Sequence, residues 1–336
     1  DSPADFRTVQ GALNHAMSRF GKAAPVTINV RNGSYEELLF ILAKDNLTIR
    51  GESRDGVVIH ATNSDGVNPG SGVSQPAGSP SFSGGRSLLM IEDADMVTLD
   101  TLTLRNTTLR SQTRSAQAET VFFNSDSGRL VARNASFFSE QDTIQVKGYA
   151  WFYRTLIEGN VDFIWGANRA ALFEDSELRS VGDSANPGSG GYVVQARTVD
   201  AGDVGFVFLN SALTHGPGPG PNANDVPAGA TYLARSPGTA STWDNVSFIN
   251  CRMGNHIAAI GWAGSGVNLE PAPNPALADA RRGWREYGST DLAGKPVDLA
   301  RRIGGYVLSA AEAKEQFGTR AATFAGYGNG RGWSPD

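Results

Sequence analysis

Short segments of similar pattern recur about every twenty residues through the middle of this chain. Each segment opens with Asn, Asp or Arg and lies within a run of strand-forming residues. Three consecutive copies begin 20 and then 21 positions apart, and the outer intervals are 34, 35 and 40 because Gly-, Pro- and Ser-rich stretches are inserted. The copies begin at Asp100, Asn134, Arg154, Asp175, Asn210 and Asn250. A period of this length predicts a solenoid.

The repeat contains short strands and no helix between them, which predicts a right-handed parallel β-helix with one coil per repeat. We expect residues 1–336 to form a single domain. Residues 1–21 are predicted to be a capping helix. Its apolar face consists of Phe6, Val9, Leu13, Met17 and Phe20. Repeat spacing is lost from Pro271, so residues 271–336 are predicted to be a C-terminal cover. Ser309 and Glu312 form a capping-box pattern that opens a helix there, and Gly318 can end it.

Composition narrows the classes of function. The net charge of −5 argues against binding to nucleic acid or to anionic membrane surfaces. We find no apolar run of the roughly 18 residues that a membrane span needs. The single cysteine, Cys251, cannot form an internal disulfide, and its place in the repeat predicts a buried structural thiol.

Two aspartates lie one repeat apart, at Asp142 and Asp162. In a β-helix, residues one period apart lie above one another at the strand spacing, so we expect their carboxyls about 5 Å apart. Gln141 directly precedes the first aspartate, and Gln117 lies about one coil below it. Ladders of Asn and Asp also occur at β-helix turns for purely structural reasons, so the pair alone does not establish chemistry.

The residues around both aspartates resemble a known family. Gln141-Asp142-Thr143 and the segment Gly159–Gly166 are similar to the two signature segments of the pectin methylesterases, carbohydrate esterase family 8. Further similar segments follow in the same order along the chain: Gly33-Ser34-Tyr35-Glu36-Glu37, Gln117-Ala118, Gln195-Ala196-Arg197, Tyr232-Leu233-Ala234-Arg235 and Gly261-Trp262.

The resemblance implies hydrolysis of methyl esters in homogalacturonan without a metal or an organic cofactor. It implies that Asp162 is the nucleophile and that Asp142 is the general acid and then the general base. It also implies that the amides of Gln117 and Gln141 donate to the oxyanion and that Arg235 keeps Asp162 ionised.

The resemblance also implies a secreted, monomeric protein whose partner is methyl-esterified pectin, although this chain carries no signal-peptide pattern. Trp262, Phe163 and Trp165 are candidates for stacking on sugar rings. The chain departs from the family pattern after Arg235, where Ser236-Pro237-Gly238 replaces a proline and tryptophan, and at Ala234, which replaces a glycine. These departures leave the identity of the accepted polymer open.

Two other functions stay open from the sequence. One keeps the fold and the aspartates but acts on another ester, such as an acyl thioester or another acylated polysaccharide. The other is a β-helix that binds polysaccharide without catalysis. A lyase of the same fold needs a calcium-binding acidic cluster and a basic abstracting residue, which we do not find. The Asn63–Gly66 stretch lacks the later ligands of a calcium loop, and no two histidines have metal-ligand spacing.

Overall fold

The protein forms the parallel β-helix that the repeat predicts. The computed structural model describes residues 5–68, 85–114, 116–221, 224–238, 241–263 and 278–336. In these residues each complete coil gives one strand to each of three sheets, and all neighbouring strands within the sheets are parallel. Parallel crossover connections are almost always right-handed, which agrees with the predicted hand of the solenoid.

The strands and helices are numbered along the chain. The first sheet contains β1 Val26–Val30, β4 Leu47–Gly51, β7 Val97–Asp100, β10 Arg129–Arg133, β13 Gly148–Tyr153, β16 Asn168–Glu174, β19 Gly205–Leu209, β22 Val246–Ile249, β25 Trp284–Tyr287 and β27 Tyr306–Val307. The second contains β2 Gly33–Glu36, β5 Val57–Ala61, β8 Thr103–Asn106, β11 Ser136–Phe138, β14 Leu156–Gly159, β17 Glu177–Val181, β20 Ala212–Gly216, β23 Arg252–Met253 and β26 Thr290–Asp291. The third contains β3 Leu39–Leu42, β6 Leu89–Glu92, β9 Val121–Asn124, β12 Ile144–Val146, β15 Val161–Gly166, β18 Tyr192–Ala196, β21 Tyr232–Arg235 and β24 Trp262–Ala263. The helices are α1 Val9–Arg19, α2 Ala310–Phe317, α3 Arg320–Thr323 and α4 Tyr327–Gly330, with a 3-10 turn at Leu299–Arg301.

The repeated Asn, Asp or Arg is the residue that turns the chain from the first sheet into the second. At Asn134, for example, φ is 51°, a left-handed conformation that asparagine tolerates well. Its N–H donates to the carbonyl of Tyr153 in the next coil at 3.0 Å, so the turn is tied into the solenoid. Each run predicted as one strand is therefore two strands separated by this turn. The predicted frame is wrong by one residue at Asp100, because Thr101 has the left-handed backbone there and Thr103 pairs with Ser136.

The interior is filled by apolar side chains that stack from coil to coil. Phenylalanines of β13, β16, β19 and β22 form a ladder whose successive ring centroids are 4.5, 4.9 and 4.5 Å apart. The ladder consists of Phe152, Phe173, Phe208 and Phe248. Burying each ring contributes roughly 2–3 kcal/mol to folding. Cys251 is buried in the same core, as predicted, and burial raises the pKa of its thiol to about 12.

Helix α1 covers the first coil, which confirms the predicted N-terminal cap. Val9 and Leu13 are buried against the core, and the backbone N–H of Val9 donates to the Glu37 carboxylate at 2.9 Å. The predicted apolar face is too wide, since Phe6 and Phe20 are 41% and 44% exposed. The buried residues of the helix are Val9, Ala12, Leu13 and Ala16, so two of the predicted residues and two small alanines form the contact.

The C-terminal cover is helical, and its first part is still solenoid. Strands β25, β26 and β27 continue the first two sheets, so the predicted loss of the repeat is wrong for these strands, while residues 271–277 lie outside the described ones. The Ser309–Glu312 capping box is present at the start of α2, and Gly318 ends the helix. Phe317 and Phe324 pack with Trp151 and Leu172 on the outer face of the first sheet.

A buried lysine binds the segment that connects helix α1 to strand β1. Lys44 is 1% exposed, and its ammonium donates to the backbone carbonyls of Gly21, Lys22 and Asp45 at 3.1 Å each and also to that of Ala24. Burial lowers the pKa of this lysine, while the nearby Asp45 carboxylate opposes the shift.

We predict that Lys44→Met destabilises the protein by about 2–4 kcal/mol, because it leaves several buried carbonyls without a donor. The melting temperature measures the effect. Lys314→Met, on the exposed face of α2, is the matched control and should leave the melting temperature nearly unchanged. Equal melting temperatures for the two variants would contradict the assigned role of Lys44.

Candidate active site

The two aspartates singled out from the sequence occupy equivalent positions on neighbouring coils of the third sheet. Ile144 of β12 pairs with Ile164 of β15, and each aspartate lies two residues before its isoleucine. Asp142 and Asp162 both have left-handed backbone, with φ of 61° and 47°. The N–H of Asp142 donates to the carbonyl of Val161 at 3.1 Å. The two aspartates therefore lie one above the other on adjacent coils.

Asp162 is held by an arginine. Its side chain is nearly buried, with the residue 5% exposed, and Arg235 Nε donates to Oδ1 at 2.8 Å and to Oδ2 at 3.1 Å. The Nη2 of the same guanidinium also donates to Oδ2, and Gln195 Nε2 donates to that oxygen at 3.1 Å. Burial raises the pKa of the Asp162 carboxyl, and the Arg235 guanidinium opposes the rise.

Asp142 has a different environment. It is 3% exposed, and the one ion pair found for it among the described residues is with Arg86 Nη2, at 3.5 Å from Oδ2. Burial raises the pKa of Asp142 well above its usual range, and the neighbouring carboxyls of Glu119 and Asp162 raise it further. The two aspartates thus differ chemically, since Asp162 is paired closely with a cation and Asp142 favours its protonated form.

Glu119 adds a third carboxyl to the stack of Asp142 and Asp162, and the sequence analysis missed it. These three side chains form the carboxyl column. Val121 pairs with Ile144, and Glu119 lies two residues before Val121, as Asp142 does before its isoleucine. Gln117, predicted to lie about one coil below Asp142, lies two residues before the position that stacks under it. A three-residue pattern in the sequence could have located Glu119. In this pattern an acidic residue is followed two positions later by Val or Ile, and it occurs at Glu119-Thr120-Val121, Asp142-Thr143-Ile144 and Asp162-Phe163-Ile164.

Both predicted glutamines border this column and are partly exposed. The side-chain oxygen of Gln117 accepts from Arg86 Nη1, and that of Gln141 accepts from Arg110 Nε at 3.0 Å. Because the carbonyl of each amide is turned to an arginine, its NH2 group is turned away from it. In the described part of the chain neither NH2 group has a hydrogen-bond partner, so both are available as donors.

Two of the three aromatic residues predicted to contact sugar point into the solenoid instead. Trp262 is 0% exposed and stacks on Trp284, with ring centroids 5.3 Å apart. It pairs with Ala234 in the inward-facing row of the third sheet. Phe163 is equally buried in the core. The prediction that these rings stack on a sugar is wrong. Alternation along β24 turns Trp262 inward. In β15 the register shifts between Val161 and Ile164, and Phe163 lies in the core together with the adjacent Ile164.

Trp165 lies on the outer face of the third sheet, yet its ring is covered. The guanidinium carbon of Arg197 lies 4.7 Å from the ring centroid, and that of Arg86 lies 5.5 Å from it. Arg197 Nε also donates to Gln195 Oε1 at 2.9 Å. Because Trp165 is only 3% exposed, its ring offers almost no surface to a sugar, so this prediction is wrong as well.

Partly exposed aromatic rings next to the column come from two tyrosines that the sequence analysis did not select. Tyr192 and Tyr232 lie at the same position of adjacent coils, and their ring centroids are 5.7 Å apart. The Arg235 guanidinium carbon is 4.7 Å from the Tyr192 ring centroid. Tyr192 pairs with Val161, which directly precedes Asp162, so the two tyrosines form an aromatic surface beside the aspartates on the following coils.

Arg86 belongs to the Gly-, Ser- and Pro-rich insertion that spans Asn63–Arg86. Residues 69–84 of this insertion lie outside the described residues. Among the described residues, no group of three or more His, Cys, Asp or Glu side chains could hold a metal ion. None of the described helices is long and apolar enough to cross a membrane.

The fold and the site together define a parallel β-helix protein with a buried, arginine-bound carboxyl column. A family model described as Pectinesterase matches residues 1–270. The pectin methylesterase PemA from Erwinia chrysanthemi has a similar structure, with a TM-score of 0.72 and 27% identity over 100% of this chain and 96% of that one. A pectin methylesterase in complex with a hexasaccharide matches with a TM-score of 0.69 and 25% identity over 98% of this chain and 94% of that one.

The chain belongs to the pectinesterase family. A curated relative, the probable pectinesterase/pectinesterase inhibitor 64 of Arabidopsis thaliana, is 28% identical over 267 residues, which are 76% of this chain and 40% of the relative. The chain thus spans less than half the length of that plant protein.

We predict that Asp142→Asn stabilises the protein at neutral and alkaline pH. A carboxyl whose pKa is raised on folding binds more protons in the folded state than in the unfolded state, so the free energy of unfolding falls as pH rises above the usual aspartate pKa of about 3.9. The gain in melting temperature of this variant should be near zero at pH 4 and at least about 2 °C at pH 8.

Asp126→Asn serves as the control, because that aspartate is largely exposed. Its melting temperature should follow the wild type at both pH values. A loss of stability in Asp142→Asn at pH 8 would show that the native Asp142 is a stabilised carboxylate and would contradict the assignment.

Proposed function

We propose that the protein hydrolyses methyl esters of homogalacturonan and releases methanol and an acidic polymer. The observation that carries the proposal is the chemical difference between the stacked aspartates. Asp162 is bound by Arg235, whereas burial and two neighbouring carboxyls keep the pKa of Asp142 high. Ester hydrolysis through a covalent intermediate needs this pair, one ionised nucleophile and one protonated acid.

In the first half of the proposed reaction, an Asp162 carboxylate oxygen attacks the ester carbonyl carbon and forms a tetrahedral oxyanion. The bond from that carbon to the methoxy oxygen then breaks, and Asp142 gives its proton to the departing methanol. The product is an acyl-enzyme in which Asp162 and the galacturonyl group share an anhydride. Arg235 keeps Asp162 ionised and oriented through charge-assisted hydrogen bonds.

In the second half, the Asp142 carboxylate takes a proton from water as the water oxygen attacks the galacturonyl carbonyl. The anhydride bond breaks, so Asp162 is regenerated and the sugar leaves as a carboxylic acid. The NH2 groups of Gln117 and Gln141 stabilise the oxyanion in both halves, since both amides have their carbonyls on arginines. Donors of this kind each contribute about 3–4 kcal/mol to such a transition state.

Polymer binding is assigned to the outer face of the third sheet. Because Trp262 and Phe163 are internal, we assign sugar stacking to Tyr192 and Tyr232, which are partly exposed beside Asp162. The proposal includes a secreted, monomeric enzyme that acts on pectin outside the cell, in line with the family. The two rival functions, hydrolysis of a different ester and binding of polysaccharide without catalysis, are separated from it by the following measurement.

We expect wild-type protein to release methanol from highly methylated pectin near neutral pH. Asp162→Asn should lower kcat at least about a thousandfold, because removing a covalent nucleophile removes the first step. Asp225→Asn, which alters an aspartate paired with His215 away from the column, should keep wild-type activity.

Methanol release that persists in Asp162→Asn would reject the nucleophile. Hydrolysis of a simple acyl thioester but not of pectin by the wild type would favour the first rival. Pectin binding without methanol release by the wild type would favour the second.

A further inference from the structure

Glu119 and Arg86 form a bidentate, hydrogen-bonded ion pair, called the fork below, at the bottom of the carboxyl column. Arg86 Nε donates to both Glu119 oxygens at 2.8 Å, and Nη2 donates to Oε1 at 2.6 Å. Both side chains are buried, with relative exposures of 7% for the arginine and 0% for the glutamate. Charge-assisted hydrogen bonds of this length between buried groups fix the position of the guanidinium.

The fork determines how Arg86 meets Asp142. The same Nη2 that donates to Glu119 at 2.6 Å reaches Asp142 Oδ2 only at 3.5 Å. Glu119 therefore takes the stronger hydrogen bonds of the guanidinium and compensates its charge. Asp162 differs in this respect, because Arg235 donates to it at 2.8 Å without an acidic competitor among the described residues.

We propose that Glu119 is a positioning residue for the proposed reaction: it holds the Arg86 guanidinium on itself and away from Asp142, so that Asp142 keeps the proton that the departing alcohol needs. The inference rests on the proposed function for its catalytic meaning, but the coupling of the three side chains can be measured without a substrate.

Charged groups face Asp142 from several elements. Glu119 before β9 and Asp162 in β15 are negative, while Arg86 before β6 and Arg197 after β18 are positive. Glu119 itself is faced by Arg86 and by Asp65. Neutralising Glu119 removes one negative charge next to Asp142. It also frees the Arg86 guanidinium to pair with Asp142, and both changes favour the Asp142 carboxylate. Removing Arg86 has the opposite effect, because the Glu119 charge is then uncompensated.

The catalytic test is the pH dependence of kcat for methanol release. Asp142 must be protonated in the first step, so its pKa sets an alkaline limb of the profile. In Glu119→Gln we expect this limb to move to lower pH by about one unit, so that kcat on the limb falls about tenfold while KM changes little. In Arg86→Met the limb should move to higher pH, and the double variant should lie near the wild type.

Glu174→Gln is the matched control, because Glu174 is also ion-paired with an arginine, Arg320, but lies on the first sheet. Its profile should match the wild type. Unchanged limbs in folded Glu119→Gln and Arg86→Met, or shifts in the same direction, would overturn the proposal. The double variant removes both members of the buried ion pair, a change that proteins often tolerate, so it gives a folded reference if a single variant is unstable.

The second test needs no substrate. The stabilisation that Asp142→Asn gives at pH 8 should shrink to less than half when it is measured in the Glu119→Gln background, since Asp142 then bears its charge at lower cost. An undiminished stabilisation would overturn the coupling. If the wild type releases no methanol, the proposed function is rejected, and this melting-temperature cycle still decides whether Glu119 controls Asp142.

Discussion

The parallel register of the third sheet is the constraint on which the site depends. It places an acidic residue two positions before the paired residue in three successive coils, so Glu119, Asp142 and Asp162 stack at the spacing of strands, roughly 4.8 Å. Three buried carboxyls at that spacing repel one another when ionised. Arginines from outside the column relieve the repulsion unequally, because Arg235 binds the top carboxyl and Arg86 binds the bottom one most closely. The middle carboxyl is left with the highest tendency to keep a proton.

The rest of the solenoid holds this unfavourable column in place. Left-handed turns bond each coil to the next, and the phenylalanine ladder inside the first sheet fills the core from one coil to another. Helix α1, the Lys44 ammonium and the C-terminal helices close the ends and one side of the structure. Since each coil contacts mainly its neighbours, the strain of the carboxyl column is local and is opposed by many ordinary contacts above and below it.

The period of the repeat was sufficient to predict the fold and the adjacency of the two aspartates, because vertical neighbours in a β-helix are one period apart in sequence. It did not locate Glu119 or the offset of Gln117, because the coil below contains an inserted loop and the register must be counted from the strand rather than from the aspartate. Nor did it reveal that Trp262 faces inward, since inward and outward positions differ by one residue. Arg86 and Arg197 contact the site through long side chains, whose direction does not follow from the period of the repeat.

The central claim is that the two stacked aspartates have different protonation states at the same pH. The most direct measurement is a pH titration of the side-chain carboxyl carbons by 13C NMR, with Asp142→Asn and Asp162→Asn used to assign the two signals. The account predicts that the Asp142 signal titrates at higher pH than the Asp162 signal, so that a range exists in which the first is protonated and the second ionised. An Asp162 signal that titrates at the higher pH would contradict it.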